Sequence, residues 1–335
     1  MRNLLTRISI FFLAIVIVIA IVFLALNVGR TPDPRPVLWG VNFSQKFAVE
    51  LGLDWQKTYI AILDDLGARR IKLASYWDLV EPAKDSFSFD DFDWQVREAE
   101  KRSAELTLVI GMKTPRWPEC HIPKWAKNMS TEERQKEILA LLKAIVSRYK
   151  PSLSVIRWQV ENEPFFSFGE CPDSDSSFLR KEIEAVKAID PSRPVLVSDT
   201  GEMSLWITAA RYGDIVGSTL YRRVWFKEIQ KFVSFPLTPL YYSRRAALVK
   251  YLYGKDVINV ELQAEPWSPL GSPLLISRDE EERTMSIDQL RENIDFARRT
   301  GMKEAYFWGA EWWYHEKQNG RPEFWEEGRK TVQEE

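Results

Sequence analysis

Short apolar runs alternate with amphipathic segments along the chain from Val37 onward. The eight runs that predict β-strands cover residues 37–44, 69–77, 106–113, 154–164, 194–201, 214–221, 256–263 and 304–313. Between them lie segments such as STEERQKEILALLKAIVSRY, in which apolar residues recur three and four positions apart, as in a helix that packs on one face. The STEE at residues 130–133 has the capping-box pattern that begins a helix. Such alternation of strands and helices predicts a parallel sheet.

Eight strand–helix repeats over residues 37–335 predict a single closed (β/α)₈ barrel of the α/β class. The main alternative is an open, doubly wound sheet, which is built from the same alternating elements. That fold gives no reason for eight repeats. Its Gly-rich phosphate loop is also missing after the first strand, where the sequence reads VNFSQKFAVELG. The barrel is therefore the preferred architecture.

A long apolar segment precedes the barrel. Residues 8–29 carry no charge, and residues 8–26 are apolar except for Ser9, which is enough to span a bilayer as a helix. The alternative is a cleaved signal peptide of a secreted protein, but that has a shorter apolar core and a small-residue cleavage site, for which ALNVG is a poor match. We predict an uncleaved transmembrane signal-anchor at residues 8–29, with residues 1–7 in the cytoplasm and the barrel outside it.

The segments that flank the predicted strands differ in character. Residues 30–36, which include TPDPRP, predict a stiff extended spacer because each proline fixes its own φ and disfavours helix at the preceding residue. Residues 222–255 are rich in aromatic and basic side chains, and we interpret them as an outer barrel helix in preference to a membrane-binding or substrate-binding segment. Residues 264–287 form a loop with three prolines after the seventh strand, and a loop of this length is usually functional.

Composition narrows the possible partners. The chain has 46 basic and 48 acidic residues, so its charge gives no reason to expect a nucleic-acid partner. The 14 Trp suit a site that stacks sugar rings, although Trp is also a large core residue. His121 and His315 are the two histidines, and neither a His pair nor a Cys cluster occurs at metal-ligand spacing. Neither a metal nor another cofactor is expected, and the oligomeric state is not predicted.

Carboxylates follow several of the predicted strands. The fourth strand ends in QVENEP, the seventh in VELQAEP and the eighth in WGAEWW. Glu161 and Glu163 share one face of the fourth strand, and Pro164 marks the turn that brings Asn162 and Glu163 to the rim. Since strand ends converge on one pocket in a parallel barrel, acids from the fourth and seventh strands should meet there. Two carboxyl groups about 5 to 5.5 Å apart are what retaining glycoside hydrolysis requires.

With these motifs the chain resembles clan A of the glycoside hydrolases, which are retaining (β/α)₈ enzymes. The resemblance covers residues 37 to 320, and SYWDLVEP, FSFDDFDW and the Trp-rich eighth strand also match. It implies that Glu163 of NEP is the catalytic acid/base and that Asn162 binds the sugar 2-hydroxyl. It also implies that Glu261 of INVELQ is the nucleophile and that Tyr221 hydrogen-bonds it.

The chain departs from the clan at two points. Many members carry an Arg on the second strand, where this chain has Lys72, and the usual His of the fourth strand is missing. The side chains expected to contact substrate are Asn162, Tyr221, Lys72, Trp77, Trp117, His121, Glu265, Trp267, Glu311 and Trp312.

Several of these assignments have an alternative. Glu265 competes with Glu261 as the nucleophile, but Pro266 favours a place for Glu265 in the loop. Glu161 is interpreted as an ion-pair partner rather than a catalytic group. His121 is either a substrate-contacting residue or a hydrogen-bonding residue of its loop, and Trp308 is expected in the core.

The two cysteines lie in neighbouring loops of the predicted barrel. Cys120 follows the third strand and Cys171 follows the fourth, so both belong to the same face. Outside the cytoplasm such a pair can oxidise, and we predict a Cys120–Cys171 disulfide that braces the loop beside Glu163. The alternative is two unrelated thiols.

The resemblance, together with the apolar segment, implies a membrane-anchored retaining β-glycoside hydrolase with a carbohydrate substrate and a double-displacement mechanism. Transglycosylation, in which a sugar accepts the intermediate, is the alternative within the same class. A glycan-binding barrel without activity at the cell surface is the alternative from another class, and Lys72 and the missing His leave room for it.

Overall fold

Eight parallel strands close into a barrel in the computed structural model, which describes residues 2–226 and 229–334. In chain order, the barrel strands are β1 (Leu38–Phe43), β2 (Arg70–Ala74), β3 (Glu105–Ile110), β4 (Val155–Val160), β5 (Val195–Asp199), β6 (Ile215–Leu220), β9 (Val257–Gln263) and β10 (Glu304–Trp308). A separate antiparallel hairpin is formed by β7 (Arg223–Phe226) and β8 (Lys231–Ser234). The seventh barrel strand is thus β9 and the eighth is β10, which pairs with β1 to close the ring. The predicted (β/α)₈ barrel is confirmed.

Helices surround the barrel and precede it. They are α1 (Arg2–Asn27), α2 (Gln45–Glu50), α3 (Trp55–Asp64), α4 (Trp77–Val80), α5 (Asp90–Glu100), α6 (Thr131–Tyr149), α7 (Ser176–Ile189), α8 (Ile207–Tyr212), α9 (Pro239–Tyr253), α10 (Arg278–Thr284), α11 (Ile287–Thr300), α12 (Ala310–Gln318) and α13 (Glu323–Val332). The predicted capping box begins α6, because Ser130 and Glu133 each accept a hydrogen bond from the other's backbone N–H. The core lies between the barrel strands and these helices, where the apolar faces of both are buried.

The eighth predicted strand is too long. The strand ends at Trp308, and residues 310–313 form the first turn of α12. Gly309 makes this change of direction with a φ of +132°, and a Cβ there would lie 2.6 Å from the Cβ of Glu265. Glu311 and Trp312 therefore lie on a helix rather than at a strand end.

The N-terminal helix α1 ends against the barrel. The segment Ile10–Asn27 is long and apolar enough to cross a membrane, as an anchor or a signal sequence, and its side chains are exposed from Ile10 to Ala25. Asn27 is buried, and its Oδ1 accepts a hydrogen bond from the backbone N–H of Thr238 at 3.0 Å. The predicted spacer lies along the barrel wall, where the N–H of Arg35 donates to the carbonyl of Arg298 at 3.0 Å.

The two long connections are both structured. Residues 222–255 contain the β7–β8 hairpin and α9, of which Lys227 and Glu228 lie outside the described residues. Residues 264–287 contain the 3₁₀ turn Pro273–Leu275 and helix α10. Met1 of the predicted cytoplasmic segment and Glu335 of the predicted barrel domain also lie outside the description.

The predicted disulfide is present. Cys120 and Cys171 are bonded with a Cα–Cα distance of 5.2 Å and link the loops after β3 and β4 over 51 positions of sequence. Loop-closure entropy predicts that such a link stabilises the fold by up to about 4 kcal/mol.

Replacing Cys171 with serine is therefore expected to lower the free energy of unfolding by up to about 4 kcal/mol. Urea unfolding of the variant and of the oxidised protein measures the difference. The wild type under reducing conditions is the matched control and should resemble the variant. Two reactive thiols on the unfolded, unreduced wild type would contradict the disulfide.

Candidate active site

Glu261 lies on β9 at the C-terminal face of the barrel and is almost fully buried. Its Oε1 accepts a hydrogen bond from Lys72 Nζ at 2.9 Å, and its Oε2 accepts one from the Tyr221 hydroxyl at 2.8 Å. Lys72 comes from β2, across the barrel, and Tyr221 follows β6. The two donors hold both carboxylate oxygens in a fixed orientation. Lys72 thus binds the carboxylate where many clan members have an Arg, although it donates from a single ammonium group rather than from a planar guanidinium.

Glu163 lies in the turn that follows β4. The strand ends at Val160. Glu161 and Glu163 then adopt φ values of +57° and +41°, which residues other than glycine rarely adopt. The backbone N–H of Glu163 donates to Ser198 Oγ at 2.9 Å, and its Oε1 accepts from Thr219 Oγ1 at 3.1 Å. These bonds fix a strained turn that brings the carboxyl group over the barrel mouth.

The two acids share one cleft. Thr219, which binds Glu163, is the direct register partner of Glu261 in the β6–β9 pair. Burial raises the pKa of Glu163 well above its usual range, and the charges of Glu261 and Glu119 raise it further. A carboxyl group beside a second, hydrogen-bonded carboxylate therefore keeps its proton to a higher pH than an exposed glutamate does.

Glu119 belongs to this cleft and was missed by the sequence reasoning. It lies in the loop after β3, directly after the cis Trp117–Pro118 bond, with a φ of +70°. Its Oε2 accepts a hydrogen bond from Asn162 Nδ2 at 3.0 Å. Burial raises the pKa of Glu119 to about 8, against the opposing charge of Lys113. The only signal in the sequence was a charged residue between Pro118 and the disulfide-bonded Cys120.

Asn162 is buried between the loops that follow β3 and β4. Its backbone N–H donates to the carbonyl of Lys113 at 2.7 Å, and its side-chain oxygen accepts from Gln159 Nε2 at 3.2 Å. With Glu119 as acceptor of its amide N–H, the Asn162 side chain is held in one orientation next to Glu163.

Within residues 2–226 and 229–334, Glu161 forms no ion pair, contrary to the interpretation from the sequence. Its carboxyl oxygens accept hydrogen bonds from the backbone N–H groups of Met112 at 2.7 Å and Lys113 at 2.6 Å. It also hydrogen-bonds the buried Glu182, whose pKa is raised well above its usual range by burial and then by the charge of Glu161. Glu161 thereby ties the β3 loop to the turn that carries Glu163.

A second charged group lies around Arg116, which the sequence reasoning also missed. Its guanidinium forms two hydrogen bonds with the carboxylate of Glu265 and lies 3.6 Å from Glu311 Oε2. The guanidinium also lies over the rings of Phe47, at 3.5 Å, and Trp308, at 4.0 Å. Burial raises the pKa of Glu311 to about 7, although Arg116 opposes the shift.

Two expectations are corrected at this group. Glu265 was expected to contact substrate from the loop after the seventh strand; it lies in that loop, but it is buried and its carboxylate pairs with Arg116. The paired cation offsets the cost of removing the carboxylate from water. Trp308 was expected in the core, but it is partly exposed and lines a cleft. The cleft is also lined by Lys72, Arg116 and Glu311.

Three predicted substrate contacts lie away from the cleft surface. Trp77 is fully buried against Trp125 and donates its indole N–H to Glu81, and Trp312 is buried against Phe324. His121 is buried, with Nδ1 2.9 Å from Lys46 Nζ, and burial and Lys46 lower its pKa to about 4. Trp77 and Trp312 pack against other large rings, where full burial stabilises them most. His121 is a hydrogen-bonding residue of its loop, with Nε2 3.2 Å from the carbonyl oxygen of Arg116.

Two other predicted aromatic residues remain accessible. Trp267 meets the ring of Tyr221 edge-on at 5.4 Å, and the Tyr221 hydroxyl binds Glu261. Trp117 is 60% exposed and meets Phe168 edge-on. No group of three or more potential metal-ligating side chains was found among residues 2–226 and 229–334.

Comparison with known proteins is consistent with this geometry. The sequence profile described as "Glycosyl hydrolases family 2, TIM barrel domain" matches residues 94–324. The GH5_18 protein from Streptomyces cattleya, solved in complex with GlcNAc, is similar with a TM-score of 0.60 and 13% identity over 82% of this chain and 71% of that one.

Two further solved structures resemble the chain. The GH5_18 protein from Bifidobacterium longum has a TM-score of 0.59 and 14% identity, over 81% of this chain and 69% of that one. Xylanase 10B from Thermotoga petrophila, in complex with xylobiose, has a TM-score of 0.54 and 15% identity, over 84% of this chain and 86% of that one. At such low identity these likenesses establish a common fold.

Proposed function

This chain belongs to the family of the TIM barrel domain of family 2 glycosyl hydrolases and is a glycoside hydrolase, and we propose that it cleaves β-glycosidic bonds with retention of configuration. Glu261 is the nucleophile and Glu163 the acid/base of this proposal. The observation that carries it is the link through Thr219, which binds Glu163 and is the register partner of Glu261.

In the first step, Glu261 attacks the anomeric carbon while the bond to the leaving oxygen breaks. The bonding electrons remain on that oxygen, which takes the proton of Glu163. The hydrogen bonds from Lys72 to Oε1 and from Tyr221 to Oε2 support this role, because they hold the Glu261 carboxylate in one orientation. The raised pKa of Glu163, caused chiefly by burial, supports its role as the proton donor.

In the second step, the Glu163 carboxylate removes a proton from water, and the resulting nucleophile attacks the same carbon. The ester bond to Glu261 breaks and its electrons return to the carboxylate. Glu163 is again protonated, and one water has been consumed for each bond cleaved. Two displacements on opposite faces leave the product with the β configuration.

Other cleft residues take binding roles in this proposal. Asn162, oriented by Glu119, hydrogen-bonds the 2-hydroxyl of the reacting sugar. Trp267 and the partly exposed Trp308 offer ring faces for stacking, and Trp117 does so further out. Arg116 and Glu311 form the polar wall of the cleft beside Trp308, and Glu265 holds Arg116 in place.

Helix α1 is a membrane anchor in this proposal, and the barrel lies outside the cytoplasm. The length and apolar character of Ile10–Asn27 support the anchor. The Cys120–Cys171 bond supports an oxidising compartment. A secreted protein after signal cleavage would have the same barrel but would lack α1, so the mass of the mature chain distinguishes the two.

The test is hydrolysis of aryl β-glycosides and of β-glucan, mannan, xylan and galactan by the purified full chain. NMR of the first-formed sugar should show the β anomer. The α anomer as first product would contradict retention. Glycan binding without release of reducing ends would contradict the enzyme and favour a binding protein.

Replacing Glu119 with glutamine is expected to move the alkaline limb of kcat/KM to lower pH. The pKa of Glu119 is about 8, so above that pH its negative charge makes Glu163 harder to deprotonate. Glutamine removes this charge but can still accept the hydrogen bond from Asn162, so Glu163 should lose its proton at a lower pH. The pH profile with an aryl β-glycoside measures the shift.

The control for this experiment is Glu132→Gln, because Glu132 is exposed at the start of α6 and should leave the profile unchanged. An alkaline limb that stays in place for Glu119→Gln would mean that Glu163 does not govern this limb or does not sense Glu119.

A further inference from the structure

The end of helix α1 is bound directly to the barrel. The hydroxyl of Thr238 donates to the carbonyl of Asn27 at 3.2 Å, in addition to the bond between its N–H and the Asn27 side chain. Arg244 Nη1 donates to the carbonyl of Val28 at 3.0 Å and also to that of Ala25. No flexible linker therefore separates the apolar helix from the barrel at this point.

This attachment point lies on the catalytic side of the barrel. Thr238 precedes α9, which leads from β6 to the parallel strand β9. The N-terminal end of a helix between two parallel strands lies where the preceding strand ends, which is the face that carries Glu163 and Glu261. Helix α1 therefore joins the barrel at its mouth.

From this point the chain crosses the whole outer wall of the barrel. Arg299 Nη1 donates to the carbonyl of Pro32 at 3.4 Å, and the N–H of Arg35 donates to the carbonyl of Arg298, near the end of α11. The N–H of Leu38 then donates to the carbonyl of Lys303, at the opposite face, where β1 begins. The Pro-rich segment thus returns the chain from the mouth to the bottom of the barrel.

The rim next to this attachment exposes apolar side chains. Ile229 lies in the turn between β7 and β8, and Leu270, Leu274 and Leu275 lie in the connection after β9. The hairpin and this connection are in contact, since Arg223 donates to the carbonyl of Arg283. Exposed apolar groups beside an apolar helix are typical of a surface that contacts a membrane.

We infer that the barrel mouth faces the bilayer that holds α1, and that the substrate is a glycan carried by a lipid of the same leaflet. This inference rests on the proposed β-glycosidase and on α1 as its anchor. The exposed helix is apolar up to Leu26, so the polar Asn27 and the bound rim lie at the level of the lipid head groups. A lipid-linked glycan presents its sugars at that level. A soluble polymer would instead have to enter the space between the barrel mouth and the bilayer from the side.

The first experiment measures turnover of the full chain in phosphatidylcholine vesicles. The substrates are a dialkylglycerol β-glycoside in the vesicle and a soluble aryl β-glycoside of the same sugar. A variant with Asn27→Ala, Arg244→Ala and twenty Gly/Ser residues inserted after residue 27 keeps the anchor but releases the barrel. We expect its turnover of the lipid glycoside to fall by about tenfold, through lost effective concentration, and that of the aryl glycoside to stay unchanged.

The second experiment reports the orientation without enzyme activity. A fluorophore is attached to Leu275→Cys or, as the matched control, to Leu153→Cys, in vesicles that carry nitroxides on the lipid chains. Leu275 is 60% exposed on the rim, and Leu153 is 92% exposed just before β4, on the opposite face. Because Cys120 and Cys171 are paired, the introduced thiol is the one that reacts. We expect quenching at position 275 and none at position 153.

The outcomes separate the two proposals. Equal quenching at both positions, or an unchanged rate on the lipid glycoside after linker insertion, would overturn the membrane-facing mouth even if the aryl glycoside is cleaved. A wild type that cleaves neither glycoside would overturn the proposed β-glycosidase, while the quenching at position 275 would still report the orientation.

Discussion

Replacing Glu261 with alanine is expected to reduce kcat on the order of 10⁴-fold or more, because the covalent route loses its nucleophile. The truncation opens space between Lys72 Nζ and the Tyr221 hydroxyl, which both donate to the carboxylate in the wild type. A small anion such as azide can enter this space, held by the ammonium of Lys72, and attack the anomeric carbon from the same side. Added azide should therefore restore part of the activity and yield an α-glycosyl azide.

The measurement is kcat on a dinitrophenyl β-glycoside with and without azide, with NMR of the product. Glu265→Ala is the matched control, because Glu265 is the competing carboxylate in the same strand-end sequence but binds Arg116. Its loss should weaken substrate binding without rescue by azide. If azide instead rescued Glu265→Ala and left Glu261→Ala inactive, the nucleophile assignment would be reversed.

Replacing Glu163 with alanine should lower kcat by roughly 10²- to 10⁴-fold on substrates whose leaving group needs a proton. A dinitrophenyl glycoside leaves without that proton, so its first step should be little affected and the glycosyl-enzyme should accumulate. Azide should then accelerate the second step, because it needs no general base, and should yield a β-glycosyl azide. Rates with a series of leaving groups, and a pre-steady-state burst, measure these effects.

Glu161→Gln is the control for this prediction, since Glu161 is next to the same turn but accepts backbone hydrogen bonds from Met112 and Lys113. It should reduce stability and leave the dependence on the leaving group unchanged. Equal loss of activity on good and poor leaving groups in Glu163→Ala would contradict an acid role for Glu163.

The local pattern of the chain was sufficient to predict the barrel and the convergence of the two acids. A strand is readable from a short apolar run, and parallel strands bring residues such as Glu163 and Glu261 to one face whatever their separation. Cys120 and Cys171 were placed in neighbouring loops by the same reasoning, and the disulfide followed from it.

The apolar pattern of the sequence could not predict which side chains face the cleft. Trp77 and Trp308 are both large rings near strand ends, yet one is buried against Trp125 and the other lies under Arg116. The difference depends on where each strand stops and which helix covers the ring. For Trp308, the φ of Gly309 ends the strand and begins α12.

Arg116 and Glu119 illustrate why contacts between distant segments could not be predicted from the sequence. Both lie in an irregular loop and have positive φ values, so neither apolar periodicity nor a strand end indicates where their side chains point. Their partners, Glu265 and Asn162, come from other loops. Apolar periodicity is a local property, so the sequence alone determined the order of strands and helices. The pairing of buried charges and the docking of α1 on Thr238 were decided by the tertiary structure, because they form only when distant segments come together and exclude water.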